Sequence, residues 1–123
     1  MCDHSLLREQ LGDVLEALER IPRRFAGIER ATDFTHSENG IDRLDAICMI
    51  LLAVGEAFKK IDRKTDGRLL ARYPEVDWTG VKGVRDVIAH GYFDIDAEEV
   101  FEICRTDIPV LIDTFRKMIE GLG

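Results

Sequence analysis

The sequence predicts an all-α fold, an antiparallel bundle of four to five helices, on three observations. Apolar residues recur at alternating steps of three and four along most of the chain, the period of an amphipathic helix. Helix-start residues stand in front of several of these stripes. No stretch combines strict apolar–polar alternation with hairpin turn chemistry, and the connections look short enough to join antiparallel neighbours.

The first stripe is Leu7, Leu11, Val14, Leu18, Ile21, Phe25 and Ile28. Pro22 removes a backbone donor within it, so a kink or short break is expected there, beside the cluster Arg20, Arg23 and Arg24. The stretch from Thr32 to Gly40 has no apolar period and reads as a loop, with Thr35 and Glu38 as a capping box or Asn39 as the cap. The second stripe runs Ile41, Leu44, Cys48, Leu51, Gly55, Phe58 and Ile61. Ile47, Met49, Ile50, Leu52 and Val54 widen it so far that this helix should be central, or should bury a second face against another subunit. Gly55 permits close approach of a neighbouring helix.

A Thr65-Asp66-Gly67 turn and a short piece from Arg68 to Arg72 form a connector to Tyr73-Pro74. Asp77 caps the next helix, with Val76 and Val81 as a hydrophobic staple and Trp78 as its first apolar anchor. That helix continues through Val84 and Ile88 to Gly91, which is placed to cap it in a left-handed conformation. Asp96 with Glu99 is a second capping box, and Ile95 with Val100 a second staple. The last stripe is Cys104, Ile108, Leu111, Phe115, Met118 and Leu122, with a bend expected at Pro109.

The chain of 123 residues fits a single domain spanning 1–123, small enough that dimerisation would help bury apolar surface. No apolar run approaches the ~18 residues of a membrane span. The opening MCDHSLLREQ has neither a basic region nor an apolar signal core, so a cytoplasmic location is expected. Cys2, Cys48 and Cys104 show no CxxC spacing and read as reduced thiols. His4, His36 and His90 form no metal-ligand pair, so neither a metal site nor a cofactor is expected. A net charge of −7 argues against gripping long stretches of nucleic acid by the phosphates, while leaving room for a small basic pocket.

Chemistry concentrates in Arg85-Asp86-Val87-Ile88-Ala89-His90-Gly91-Tyr92. Arg85 can bind a phosphate bidentately, His90 can move a proton near neutral pH, and Tyr92 can donate, accept or be modified. On a continuing helix His90 would point about 140° away from Arg85. The helix must therefore end near His90, and a reversal at Gly91 would let the long Arg reach the His–Tyr end. Asp86 is placed to orient His90 or Arg85, and Glu56, beside Gly55, to hold Arg85 without a catalytic role. The plain structural alternative is Arg85 paired with a carboxylate, His90 as a C-cap and Tyr92 packed on Trp78.

These residues carry a resemblance that spans nearly the whole chain. Arg85, Asp86, His90 and Tyr92 match the Arg-polar-x3-His-x-Tyr signature of the HEPN superfamily and, within it, of the HepT-like toxins of toxin–antitoxin pairs. Asp45-Ala46, Gly55-Glu56-Ala57, the run from Tyr73 to Trp78, and Ile108-Pro109 are similar as well. Asp86 departs from the Asn common at that place in the superfamily, and acidic side chains crowd the region.

The resemblance implies a HEPN-like helical homodimer in which both motifs line a shared cleft and act as a metal-independent endoribonuclease. His90 would be the general acid–base, Arg85 would stabilise developing charge, and Asp86 would orient them. It also implies a partner, a minimal nucleotidyltransferase antitoxin that transfers AMP to Tyr92. The alternative within the same resemblance is a HEPN dimer with weak or no nuclease activity, serving as binding partner and AMP-acceptor of the nucleotidyltransferase.

Overall fold

The computed structural model describes residues 4–122, and every regular element among them is helical. α1 (His4–Glu19) is followed after a one-residue break by α2 (Ile21–Phe25), with Pro22 in the first turn of α2, where no intrahelical donor is missed. The break thus falls where the proline predicts it. Leu7, Leu11, Val14, Leu18 and Ile21 are all buried, and Phe25 and Ile28 pack against the core from partly buried positions.

A 3-10 turn at Ala31–Phe34 leads to α3 (Glu38–Lys64), the longest helix. Its cap is Ser37, whose hydroxyl accepts the Gly40 amide at 3.0 Å, and not Thr35 or Asn39. Ser37 adopts the extended backbone that an N-cap requires, whereas Thr35 closes the preceding turn by donating to the Thr32 carbonyl. α3 is central, as its wide apolar stripe implies: it packs on α1 and α2, on α4 (Arg68–Ala71), on α5 (Trp78–His90) and on α6 (Ala97–Glu102). Ile47, Cys48, Ile50, Leu51, Val54, Phe58 and Ile61 are buried, but Ile41, expected in the seam, is 44% exposed and Met49 is 65% exposed. Gly40, Ile47, Cys48, Ile50 and Leu51 in the same turns are buried, so Ile41 and Met49 are exposed because they lie off the face of α3 that meets the core, and they leave an apolar edge in solvent.

α6 runs through a π-helical turn at Ile103–Asp107 into α7 (Ile108–Gly121). The bend expected at Pro109 takes this form, for the proline ring clashes with the carbonyl four residues earlier and the extra residue of a π turn absorbs the mismatch. Asp96 caps α6 by accepting the Glu98 amide at 2.9 Å. Phe58 stacks on Phe115 at 5.3 Å and meets Trp78 edge-on at 5.2 Å, which joins α3, α5 and α7 in one aromatic cluster. Trp78 is the anchor expected of it, with its indole N–H donated to the Tyr73 carbonyl at 3.0 Å.

Cross-links show the antiparallel arrangement. Arg43, near the start of α3, donates to the carbonyls of Arg24 and Ala26 at the end of the first arm, while Lys64, at the end of α3, reaches Gln10 near its start. Lys59 pairs with Asp86 and Asp62 with Lys82, which sets α5 antiparallel to α3. The described residues thus form an all-α bundle, in which no helix is long and apolar enough to cross a membrane. Cys48 and Cys104 are free and buried, while Cys2 lies outside the described residues.

Candidate active site

The site is built on the contact between α3 and α5. Asp77 starts α5 by accepting the Gly80 amide at 3.0 Å, and Trp78, Val81, Val84 and Ile88 turn its apolar face to the core. Gly55 of α3 lies directly under Arg85: a methyl there would overlap Arg85 Cβ and sit 2.8 Å from its Cγ. The absent side chain therefore sets how closely the helices approach.

Arg85 is clamped between two carboxylates. One guanidinium nitrogen pairs with Glu56, and the other donates to Asp86 Oδ1 at 3.0 Å. Its Nε is buried with no hydrogen-bond partner. Asp86 Oδ1 also accepts from Lys59 Nζ at 2.8 Å. The Lys59 hydrogen bond first, and the Arg85 bond second, hold the Asp86 carboxyl below its usual range. Asp86 thus orients Arg85 and makes no hydrogen bond to His90. The sequence marks Glu56 as a holder of Arg85, but not Lys59. The signal available is weak: Lys59 stands three residues after Glu56 and so shares a face of α3 with it.

His90 is the last residue of α5, exposed, with no side-chain hydrogen bond or ion pair among the described residues. The helix ends there as expected, but Gly91 does not take a left-handed conformation; it has φ −159° and ψ 56°. Its amide still bonds the Val87 carbonyl at 2.9 Å, and its own carbonyl accepts the Asp94 amide at 2.9 Å. A local 3-10 turn at Tyr92–Asp94 therefore satisfies the helix end, and no left-handed reversal is needed. Arg85 consequently does not swing to the His–Tyr end. Within one chain it faces α3, and His90 faces solvent about 7.5 Å further along the axis, given five residues of rise.

Tyr92 is 40% exposed and does not pack on Trp78; its hydroxyl donates to Asp45 Oδ1 of α3. Phe93 is fully exposed. With Ile41, Met49 and Val87 these rings give the α3–α5 side an uncovered apolar character around the motif. Among the described residues no group of three or more His, Cys, Asp or Glu is arranged to hold a metal ion.

Comparison with known proteins points to one family. The chain is 28% identical over 119 residues to a protein of Thermococcus cleftensis named "Probable ribonuclease HepT", covering 94% of each. It is 28% identical over 118 residues to a candidate RNase of Methanocaldococcus jannaschii, covering 94% of this chain and 89% of that one. A second candidate RNase of that organism is 32% identical over 77 residues, and the match spans 63% of that relative's own length. No solved structure matches the chain. The profile described as "Ribonuclease HepT-like" matches residues 14–118, most of the chain and all of the site, and the protein therefore belongs to the HepT-like family of the HEPN superfamily.

Proposed function

We propose that this chain, as one domain, is a metal-independent endoribonuclease whose reaction centre forms where two copies bring their motifs together. The observation that carries this reading is a held cation and an exposed imidazole on one helix: Arg85 is fixed against α3, and His90, with no side-chain partner among the described residues, is exposed at the end of the same helix. A second copy laid on the apolar side formed by Ile41, Met49, Val87 and Phe93 would set each His90 opposite the other copy's Arg85.

In that cleft His90 accepts the proton of the RNA 2′-hydroxyl as its oxygen attacks the adjacent phosphorus. A protonated imidazole then donates its proton to the leaving 5′-oxygen as the bond from phosphorus to that oxygen breaks, which leaves a 2′,3′-cyclic phosphate and a free 5′-hydroxyl. Arg85, through the terminal N–H groups that Glu56 and Asp86 leave free, would meet the phosphate oxygens, where negative charge develops. Glu56, Asp86 and Lys59 keep the guanidinium in one orientation, so that little reorganisation is needed during reaction. The chain would act in the cytoplasm as the toxin of a toxin–antitoxin pair. A minimal nucleotidyltransferase antitoxin would silence it by transferring AMP to Tyr92, which puts a bulky anion two residues from His90.

The acidic residues Asp94, Asp96, Glu98 and Glu99, all exposed just beyond the motif, favour a second reading: a nuclease-poor dimer that docks a basic nucleotidyltransferase surface and accepts its AMP. RNA incubated in chelator with wild type and with folded His90→Ala separates the two. The first reading expects cleavage by wild type and a loss of at least about 100-fold in the variant; absence of cleavage by wild type favours the second, and equal rates remove His90 from the mechanism.

A further inference from the structure

Between Ile88, which is buried, and Ile95, which is half-buried, the end of α5 and the turn after it are poorly anchored. Ala89, His90, Tyr92, Phe93 and Asp94 are all exposed. The backbone bonds from Gly91 to Val87, Asp94 to Gly91 and Ile95 to Tyr92 are all local. Among the described residues, the hydrogen bond from the Tyr92 hydroxyl to Asp45 alone ties a side chain of this segment to another helix.

We infer that Asp45 is a positioning residue for His90, acting through the Tyr92 hydroxyl as a latch between α3 and the end of α5. The inference rests on the ribonuclease reading above. Asp45 suits this role because it stands on the rigid central helix, its carboxylate accepts from a phenol more strongly than a neutral oxygen would, and it has no other side-chain partner among the described residues. Its charge lies close enough to Cys48, itself buried in the core, to add to the upward shift that burial imposes on that thiol. Asp45 thus reaches from the core helix to the surface turn. Without the bond the turn keeps only local backbone bonds, and such segments open at low free energy.

The latch also gives Tyr92 modification a physical consequence beyond bulk. When the Tyr92 oxygen attacks the α-phosphorus of a nucleoside triphosphate, an O–P bond forms, pyrophosphate leaves with its bond to that phosphorus broken, and the phenolic proton passes by way of Asp45 to solvent. The product oxygen has no proton left to donate, and its phosphodiester anion faces a carboxylate. The latch cannot re-form while the group is attached.

The test compares RNA cleavage by wild type, Asp45→Ala, Tyr92→Phe, the double variant and Asp45→Asn, with His90→Ala as reference, alongside amide exchange at Asp94. Asp45→Ala and Tyr92→Phe should each lower kcat about 10- to 100-fold with little change in KM, as expected when a catalytic group is misplaced. The double variant should be no worse than either single one, because both remove the same bond. Asp45→Asn, whose amide oxygen still accepts from the hydroxyl, should recover most of the rate, and Asp94 should exchange faster only in the variants that lack the bond. With His90→Ala inactive, a wild-type rate in Asp45→Ala, additive losses in the double variant, or failure of Asn to rescue overturns the latch. Activity retained by His90→Ala would instead overturn the ribonuclease reading on which it rests.

Discussion

Gly55 and Arg85 meet backbone to side chain where α3 packs on α5, with the space of one missing methyl filled by the first carbons of the Arg side chain. The contact fixes the depth of α5 on α3, and with it the reach of Arg85 to Glu56 and Asp86. Gly55→Ala should therefore destabilise the fold by about 1–3 kcal/mol through overpacking, although alanine is the better helix former. Urea unfolding reads the first effect, and RNA cleavage should fall with it because Arg85 is displaced. A stability equal to or above wild type would show that the helices can part without cost.

The carboxylate of Asp86 makes a pH prediction. Lys59, and then Arg85, lower its folded-state pKa, so its stabilising contribution is present above the unfolded value of about 3.9 and is lost as pH falls through the folded value. The urea midpoints of wild type and Asp86→Asn should differ near neutral pH and converge below about pH 4. Lys59→Met should shrink the difference. A gap that persists undiminished into acid would assign the effect to something other than ionisation.

Burial pushes the Cys48 thiol up to about 11 and the Cys104 thiol up to about 12. Since the thiolate is the reactive form, neither should react with iodoacetamide in the native protein at pH 8, and both should react on unfolding. Mass spectrometry of tryptic peptides distinguishes the two states. Native labelling of either would mean that the core opens at that residue.

Ile41, Met49, Val87 and Phe93 are large apolar residues in solvent on the two helices and the turn that carry the motif. Covered by a second copy they would form the dry centre of a dimer interface. Met49→Glu should give a monomer in sedimentation at micromolar concentration and lose cleavage, with thermal unfolding otherwise like that of the dissociated wild type. An unchanged dimer would move the interface elsewhere.

How much of this is legible in the sequence follows from range. The helices, the break before Ile21, the Asp77 cap and the anchor Trp78 rest on spacing within a few residues, and spacing is what a sequence displays. Ser37 in place of Thr35 is a contest between neighbouring caps that only backbone conformation decides. The local turn that replaces a left-handed Gly91 depends on where its carbonyl finds a donor, here Asp94. Lys59 and Asp45 stand 27 and 47 residues from the motif side chains they bind. No pattern along the chain pairs them; only the antiparallel packing of α3 on α5 does.

Mixing two inactive variants tests most directly whether two copies build each reaction centre. Arg85→Ala and His90→Ala, each folded and each inactive alone, are unfolded together, refolded as a mixture and assayed on RNA in chelator. In a mixed dimer one centre keeps His90 from one copy and Arg85 from the other, so isolated mixed dimers should recover about half of the wild-type rate by the symmetry of the pairing. Mixed dimers as inactive as either parent would contradict the account, because the two residues would then have to act within one chain.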